Sequence, residues 1–374
     1  MPATSPQPAA TKPVSLNSLL DEELALFYEE EQDRRTEFSM PDGGEADFDL
    51  LFLNICSLSW DDLRVTDQLQ HPLMGQMDIM FEAFNSVTSY SGPAVSRLMQ
   101  ANCGQRSHQD IYGSVASECS LFSSLHDLGY DTHVAMNHDG QFQGFIDYLA
   151  SEPAFSSPFI TEDARPVLRG FDNSPIWSDY ETLSLWLDDK QQAPADQPRA
   201  LLYNSITLHD GNREATADGG GRSSPYERRI QSLLDDLARF IDDLERRGRP
   251  TMVVLIPEHG AALEGDRMQI SGLREIPAEK ITRVPVGVRF IGVKSRPEEP
   301  IHVSGPTSFL ALSELVARSI QIDVFDHAEL DWSRLTDDLP KTRLVTENEA
   351  AVMLWHEQTP YVQLDGKNWI PYQQ

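Results

Sequence analysis

The strongest constraint on the fold is a pattern repeated along the chain: a short apolar run, a polar turn, then a stretch with helical spacing. The runs are DLLFLNIC (49–56), THVAMN (132–137), PVLRGF (166–171), ALLYNSITL (200–208), TMVVLIP (251–257) and VPVGVRFIGV (284–293). Runs that are apolar on successive residues suit strands buried on both faces, as in a mostly parallel sheet covered by helices. Helical spacing appears at about 93–101, 117–128, 178–190, 224–247 and 307–320. It is clearest in 224–247, where Ile230, Leu233, Leu234, Leu237, Phe240, Ile241 and Leu244 form one stripe and Gly248 follows as a stop. The expectation is an α/β fold, a mostly parallel sheet sandwiched between helices. Near the C-terminus, AAVMLWH (350–356) and PYVQL (360–364), with the turn Asp365-Gly366, predict a small β-hairpin region at a sheet edge.

A length of 374 residues suits one large α/β domain with insertions as well as two domains. Residues 1 to about 15 are rich in Pro, Ala, Thr and Ser and predict a linker, so we divide the chain into a linker and tether region, 1–40, and a catalytic domain, 41–374. Within the first part, Leu16, Leu19, Leu20, Leu24, Leu26 and Phe27 lie among acidic residues and predict an amphipathic segment docked on the domain. A net charge of −29 repels a phosphate backbone, and no basic cluster offsets it, which excludes nucleic acid as a partner. The sequence holds no apolar run of about 18 residues and no signal-peptide pattern. As written it reads as soluble, and work outside the cytosol would require an export or anchor segment that is missing here.

The three cysteines, Cys56, Cys103 and Cys119, allow one disulfide and one odd thiol. Cys103 and Cys119 bracket a loop containing Gly104, Ser107, Gly113 and Ser114, and we pair them, leaving Cys56 for other chemistry. On spacing alone, three reduced thiols remain the alternative.

Ligands of open α/β sheets gather beyond the carboxyl ends of the strands. There the first run ends in Asn54-Ile55-Cys56-Ser57, the fourth in His209-Asp210-Gly211-Asn212 and the fifth in Pro257-Glu258-His259-Gly260. Thiolate, carboxylate and imidazole form a sound zinc set, although a Glu-His-Gly tripeptide alone is equally compatible with a solvated loop. Ser91 precedes Gly92-Pro93, which places its hydroxyl at a helix N-terminus, a position that favours phosphate; a plain N-cap serine is the alternative. His138-Asp139-Gly140 and Trp60-Asp61-Asp62 are candidates for supporting contacts, and Trp177 and Trp186 for core packing or a glucan path.

Taken together, NICSLSWD (54–61), FNSVTSYSGPA (84–94), LHDGN (208–212), PEHG (257–260) and GDRMQISGLR (265–274) closely resemble the catalytic domain of the bacterial cellulose phosphoethanolamine transferases. The likeness runs from about residue 48 to the ending Asn368-Trp369-Ile370-Pro371-Tyr372. It implies an alkaline-phosphatase-type fold in a periplasmic domain of an inner-membrane protein, tethered by an N-terminal anchor absent from this chain. An oxidising periplasm favours the Cys103–Cys119 pairing. The resemblance also assigns Cys56, Ser91, Glu258 and His259 to a Zn2+ site, Ser91 as nucleophile, and Tyr90, His209 and Arg274 to the surrounding active site. The similar lipid A transferases carry a carboxylate in place of Cys56 and Thr in place of Ser91.

The implied reaction moves phosphoethanolamine from phosphatidylethanolamine to cellulose primary hydroxyls through a zinc-activated Ser91, with cellulose synthase subunits as further partners. Arg274 would hold phosphoryl oxygens and His209 would exchange a proton. Tyr90 would stack on a sugar or hold the Ser91 loop. The rivals are a zinc-dependent phosphatase or sulfatase, which often shows Asp and His ligands for a second metal, and a non-catalytic scaffold of the secretion complex.

Overall fold

The computed structural model of the chain describes residues 15–373 except 41–43, 45–46, 151, 156–157, 190–196 and 217–220. The linker expected at 1 to about 15 therefore lies outside the described residues apart from Ser15, as does residue 190 of the helix expected over 178–190.

In chain order, β1 (Asp49–Ile55) and β2 (Ile79–Asn85) lead to β3 (Asp131–Met136). Two short strands, β4 (Pro166–Arg169) and β5 (Pro175–Trp177), precede β6 (Arg199–Ser205); β7 (Arg213–Ala215) and β8 (Gly221–Ser223) precede β9 (Thr251–Pro257). Then come β10 (Arg283–Ile291), β11 (Ile301–Thr307), β12 (Val345–Glu347), β13 (Ala351–His356), β14 (Thr359–Leu364) and β15 (Ile370–Pro371). The central sheet has the order β11-β2-β10-β9-β1-β6-β3. Its pairs are parallel except those of β10, which is antiparallel to both neighbours. The expected mostly parallel sheet is thus present.

Both faces of that sheet are covered, which explains the unbroken apolar runs. Along β1, Leu50 and Phe52 join a core with Phe84, Phe122 and Leu312, while Leu51, Leu53 and Ile55 join another with Leu234, Leu237 and Phe240. The helix Tyr226–Arg247 buries the whole predicted stripe and ends at Gly248, whose φ of +71° suits glycine and whose N–H bonds the Leu244 carbonyl at 3.0 Å. Ser91–Met99, Leu121–Asp127, Asp179–Asp188 and Phe309–Ile322 form the other predicted helices.

Two expectations need correction. PVLRGF does not enter the central sheet: β4 pairs with β5 and β7 in a separate antiparallel sheet of order β5-β4-β7-β8. Only Leu168 of that strand is buried, since Pro166 lacks a donor and Arg169 needs water, so the run cannot be covered on both faces. The predicted hairpin exists as β13 and β14, but it turns at Glu357-Gln358, both at positive φ, and Asp365-Gly366 instead links β14 to β15. It belongs to a second sheet, β12-β13-β14-β15, and not to an edge of the first. The amphipathic segment is the helix Leu16–Gln32, which buries Leu20 and Phe27 against Val345, Leu354 and Trp369 of that second sheet. Among the described residues no helix is long and apolar enough to cross a membrane.

Candidate active site and metal centre

The carboxyl ends of β1 and β9, which are paired in register, bring Cys56 beside Glu258 and His259. Their ligating atoms all lie within 4.8 Å of one another, and all three side chains are buried. The chain leaves β9 at Pro257 in a turn that aims adjacent residues the same way, which a regular strand forbids. Backbone bonds lock the junction: Glu258 N–H to the Ile55 carbonyl at 2.9 Å, and Leu58 N–H to the His259 carbonyl at 2.6 Å. Asp62 fastens it from below, one oxygen accepting from Ser59 N–H, Ser59 Oγ and Ala261 N–H at 2.8, 2.9 and 2.8 Å.

Ser91 is the first residue of the helix Ser91–Met99, one place beyond the N-cap, Tyr90. Its role is therefore not that of a capping serine. Ser91 Oγ lies 3.5 Å from Cys56 Sγ and 3.4 Å from His259 Nε2, above the helix's unpaired N–H groups.

Each donor is left in a state that calls for a cation. Burial pushes the Cys56 thiol up to about 12 and raises the Glu258 carboxyl, while burial and the Arg274 charge push His259 down to about 3. The neutral His259 ring donates from Nδ1 to the Gly260 carbonyl at 2.9 Å, which leaves the Nε2 lone pair facing Ser91. Glu258 Oε1 accepts from the Asn204 amide at 2.7 Å, whereas its sealed Oε2 makes no well-formed hydrogen bond. An orphaned carboxylate oxygen, a thiol and an imidazole lone pair converging in one buried space fit a divalent metal such as zinc. Asn204 is itself held by Asn54 Oδ1 at 2.9 Å and by His138 Nε2 at 2.9 Å. His138 is thus a supporting contact, as its place after β3 suggested.

Arg274 reaches over this cluster, with one guanidinium nitrogen 3.2 Å from Ser57 Oγ and another 3.4 Å from the Asp210 carboxylate. That ion pair ties in the loop bearing His209, half-buried at the rim, whose charge also depresses His259. Tyr90 is partly exposed, and burial together with the Glu275 carboxylate beside it raises its hydroxyl to about 12. Trp177 and Trp186 are buried in the core. Cys103 and Cys119 are joined in a disulfide, leaving Cys56 as the free thiol.

Sequence reasoning placed Asn54, Ser57, Thr88 and Ser89 inside its motifs without giving them a role, and singled out neither Asn204 nor Asn348. A signal existed for Asn54 and Asn204, because an asparagine inside an apolar strand run must find buried partners.

Residues 3–369 match the family described as the Cellulose biosynthesis protein BcsG C-terminal domain. The chain is 42% identical over 380 residues to the cellulose biosynthesis protein BcsG of Escherichia coli (strain K12), covering 100% of this chain and 66% of that relative. Among solved structures it is similar to a protein of the alkaline phosphatase superfamily from Vibrio parahaemolyticus, with TM-score 0.62 and 12% identity over 94% of this chain and 87% of that one. It is also similar to the C-terminal periplasmic domain of EptC from Escherichia coli in complex with Zn, with TM-score 0.53 and 14% identity over 84% and 93%. On this match the chain belongs to the BcsG C-terminal domain family of cellulose biosynthesis proteins, and its fold is similar to that of an alkaline phosphatase superfamily protein.

Proposed function

We propose that this chain is a zinc-dependent phosphoethanolamine transferase that moves the group from phosphatidylethanolamine to primary hydroxyls of cellulose by way of Ser91. The observation that carries it is the placement of Ser91 Oγ at a helix N-terminus, within 3.5 Å of Cys56 Sγ and 3.4 Å of His259 Nε2. Membership of a cellulose biosynthesis family supports the acceptor.

Cys56, Glu258 and His259 would hold zinc, which supplies Lewis-acid stabilisation of oxygen charge and acidifies a nearby hydroxyl. Ser91 Oγ gives its proton to solvent water and forms a bond to the donor phosphorus, while the bond from phosphorus to the diacylglycerol oxygen breaks. His209 protonates the departing oxygen. In the second half, a cellulose hydroxyl gives its proton to His209 and attacks phosphorus, and Ser91 Oγ leaves and regains a proton from solvent water. Arg274 and the first N–H groups of Ser91–Met99 stabilise the non-bridging oxygens. The division 1–40 and 41–374, a periplasmic location behind an inner-membrane anchor, and contact with cellulose synthase subunits belong to the same proposal.

The test is intact-protein mass after incubating the zinc-loaded protein with a phosphatidylethanolamine analogue. Wild type should gain one phosphoethanolamine unit and Ser91→Ala none. Equal donor consumption by Ser91→Ala would replace the covalent route with direct attack by water or acceptor.

A further inference from the structure

The loop that carries Ser91 is fastened from the far end of the chain. Val87, fully buried, sits at φ +72°, a conformation that β-branched residues avoid. It is held there because its N–H donates to Asn85 Oδ1 at 2.9 Å and its carbonyl accepts from Glu347 N–H at 2.7 Å. Next, Thr88 Oγ1 and Ser89 N–H both donate to Asn348 Oδ1, at 2.8 and 3.2 Å. The Asn348 amide then donates to Ser89 Oγ at 2.7 Å and to the carbonyls of Arg274 and Glu275 at 3.1 and 3.0 Å. Ser89 Oγ completes the ring by donating to the Arg274 carbonyl.

We propose that Asn348, at the tip between β12 and β13, is a positioning residue that sets Ser91 relative to Arg274. Ser91 lies two residues beyond Ser89, and the Arg274 guanidinium hangs from the residue whose carbonyl the clamp grips. The site asks one short side chain to accept on one side and donate on the other. Asparagine does this; aspartate has no donor and glutamine is one methylene longer. Cys56, Glu258 and His259 come from the ends of β1 and β9, and among the described residues none of them hydrogen-bonds Asn348, Thr88 or Ser89; the clamp meets them through the side chains it positions, with Arg274 3.3 Å from His259 Nδ1 and Ser91 Oγ 3.4 Å from His259 Nε2. Losing the clamp should therefore lower the rate of transfer and leave zinc in place.

The inference rests on the proposed transfer at Ser91, and its test keeps the two separable. Asn348→Asp preserves size and the Oδ1 acceptor but sets a charge against two carbonyls. Adduct formation on Ser91 should slow by about 10²-fold, the scale set by small misplacements of reacting groups, with KM for the donor analogue and zinc affinity unchanged. Ser89→Ala breaks the same ring without adding charge and should slow the rate in the same direction, which covers a poorly folding Asn348→Asp. In an Arg274→Ala background, Asn348→Asp should add little further loss, because the two act as one unit. Wild-type rates in both variants, zinc loss in step with rate, or independent effects of Asn348 and Arg274 would overturn the clamp. Hydrogen exchange reports on it without any substrate: residues 86–92 and 272–276 should exchange faster together in Asn348→Asp, and unchanged exchange refutes it. A wild type that forms no adduct refutes the transfer reading alone.

Discussion

Glu258→Gln gives opposite results with and without zinc, and the size of each follows from the burial of one oxygen. The amide oxygen can keep the bond from Asn204, but the charge at the orphaned Oε2 position is gone. At a zinc concentration of 100 times Kd, binding to the wild type adds about 2.7 kcal/mol of stability. Unfolding entropy for 374 residues is roughly 0.8 kcal/mol per degree, so zinc should raise Tm by about 3–4 °C. Loss of a ligand charge should weaken binding by about 100-fold or more, since even outer contacts to a metal site carry 10–100-fold effects. At the same zinc concentration the variant then gains about 0.4 kcal/mol, or roughly 0.5 °C. With chelator the advantage of the wild type is lost, because burial raises the Glu258 carboxyl and makes its charge costly to hold without the metal, so the variant melts no lower. Calorimetry of both proteins with zinc and with chelator makes the comparison. Equal zinc shifts in the two proteins, or a chelated variant several degrees less stable than chelated wild type, would show that Glu258 is not a metal ligand.

Three further predictions concern the frame around the site. The Cys103–Cys119 bridge spans a separation of 16 residues, worth about 3 kcal/mol of loop-closure entropy, so replacing both cysteines by serine should lower Tm by about 4 °C; a shift under about 1 °C would contradict this. Burial raises Asp62 from 3.8 to about 7, so the folded protein binds a proton there that the unfolded chain releases, and stability from this group falls as pH rises from about 4 to 7, by roughly 4 kcal/mol in all. Asp62→Asn should therefore gain on wild type in Tm across that window, and parallel pH profiles would refute the assignment. A Cβ at Gly260 would lie 2.6 Å from Ser59 Oγ and 3.0 Å from Asp62 Oδ2, so Gly260→Ala should cost about 1–3 kcal/mol and weaken zinc binding by moving His259; unchanged zinc affinity in a titration would count against it.

What the sequence disclosed and what it hid follow from the range of the forces involved. The strands buried on both faces were legible because every residue of β1 and β9 must be apolar or internally bonded. β2 escaped notice because Glu82 interrupts it, with its carboxylate meeting Ser304 Oγ at 3.0 Å, and β11 because an edge strand tolerates the exposed alternation of His302, Ser304 and Pro306. Cys56, Glu258, His259 and Ser91 stood out as candidates because each follows its strand or opens its helix, but local position left a solvated loop and an N-cap serine open, and it was the family resemblance that joined the four into one set. Asn348 could not. Its partners are Thr88, Ser89, Arg274 and Glu275, and nothing in the local sequence Glu347-Asn348-Glu349 distinguishes a clamp from a turn.

The helix Leu16–Gln32 and the second sheet also join the two ends of the chain: Trp369 N–H bonds Asn17 at 2.7 Å and its indole N–H bonds Asp21 at 2.8 Å. This has a consequence for the order in which the protein matures. Of the three residues that could hold a metal, the last to be synthesised is His259, yet Thr88 must wait for a partner 260 residues downstream. At ordinary translation speeds of about 5–20 residues per second, that delay is roughly 10–50 s. During that interval the growing chain can present Cys56, Glu258 and His259 together while the loop of Ser91 still lacks its partner Asn348.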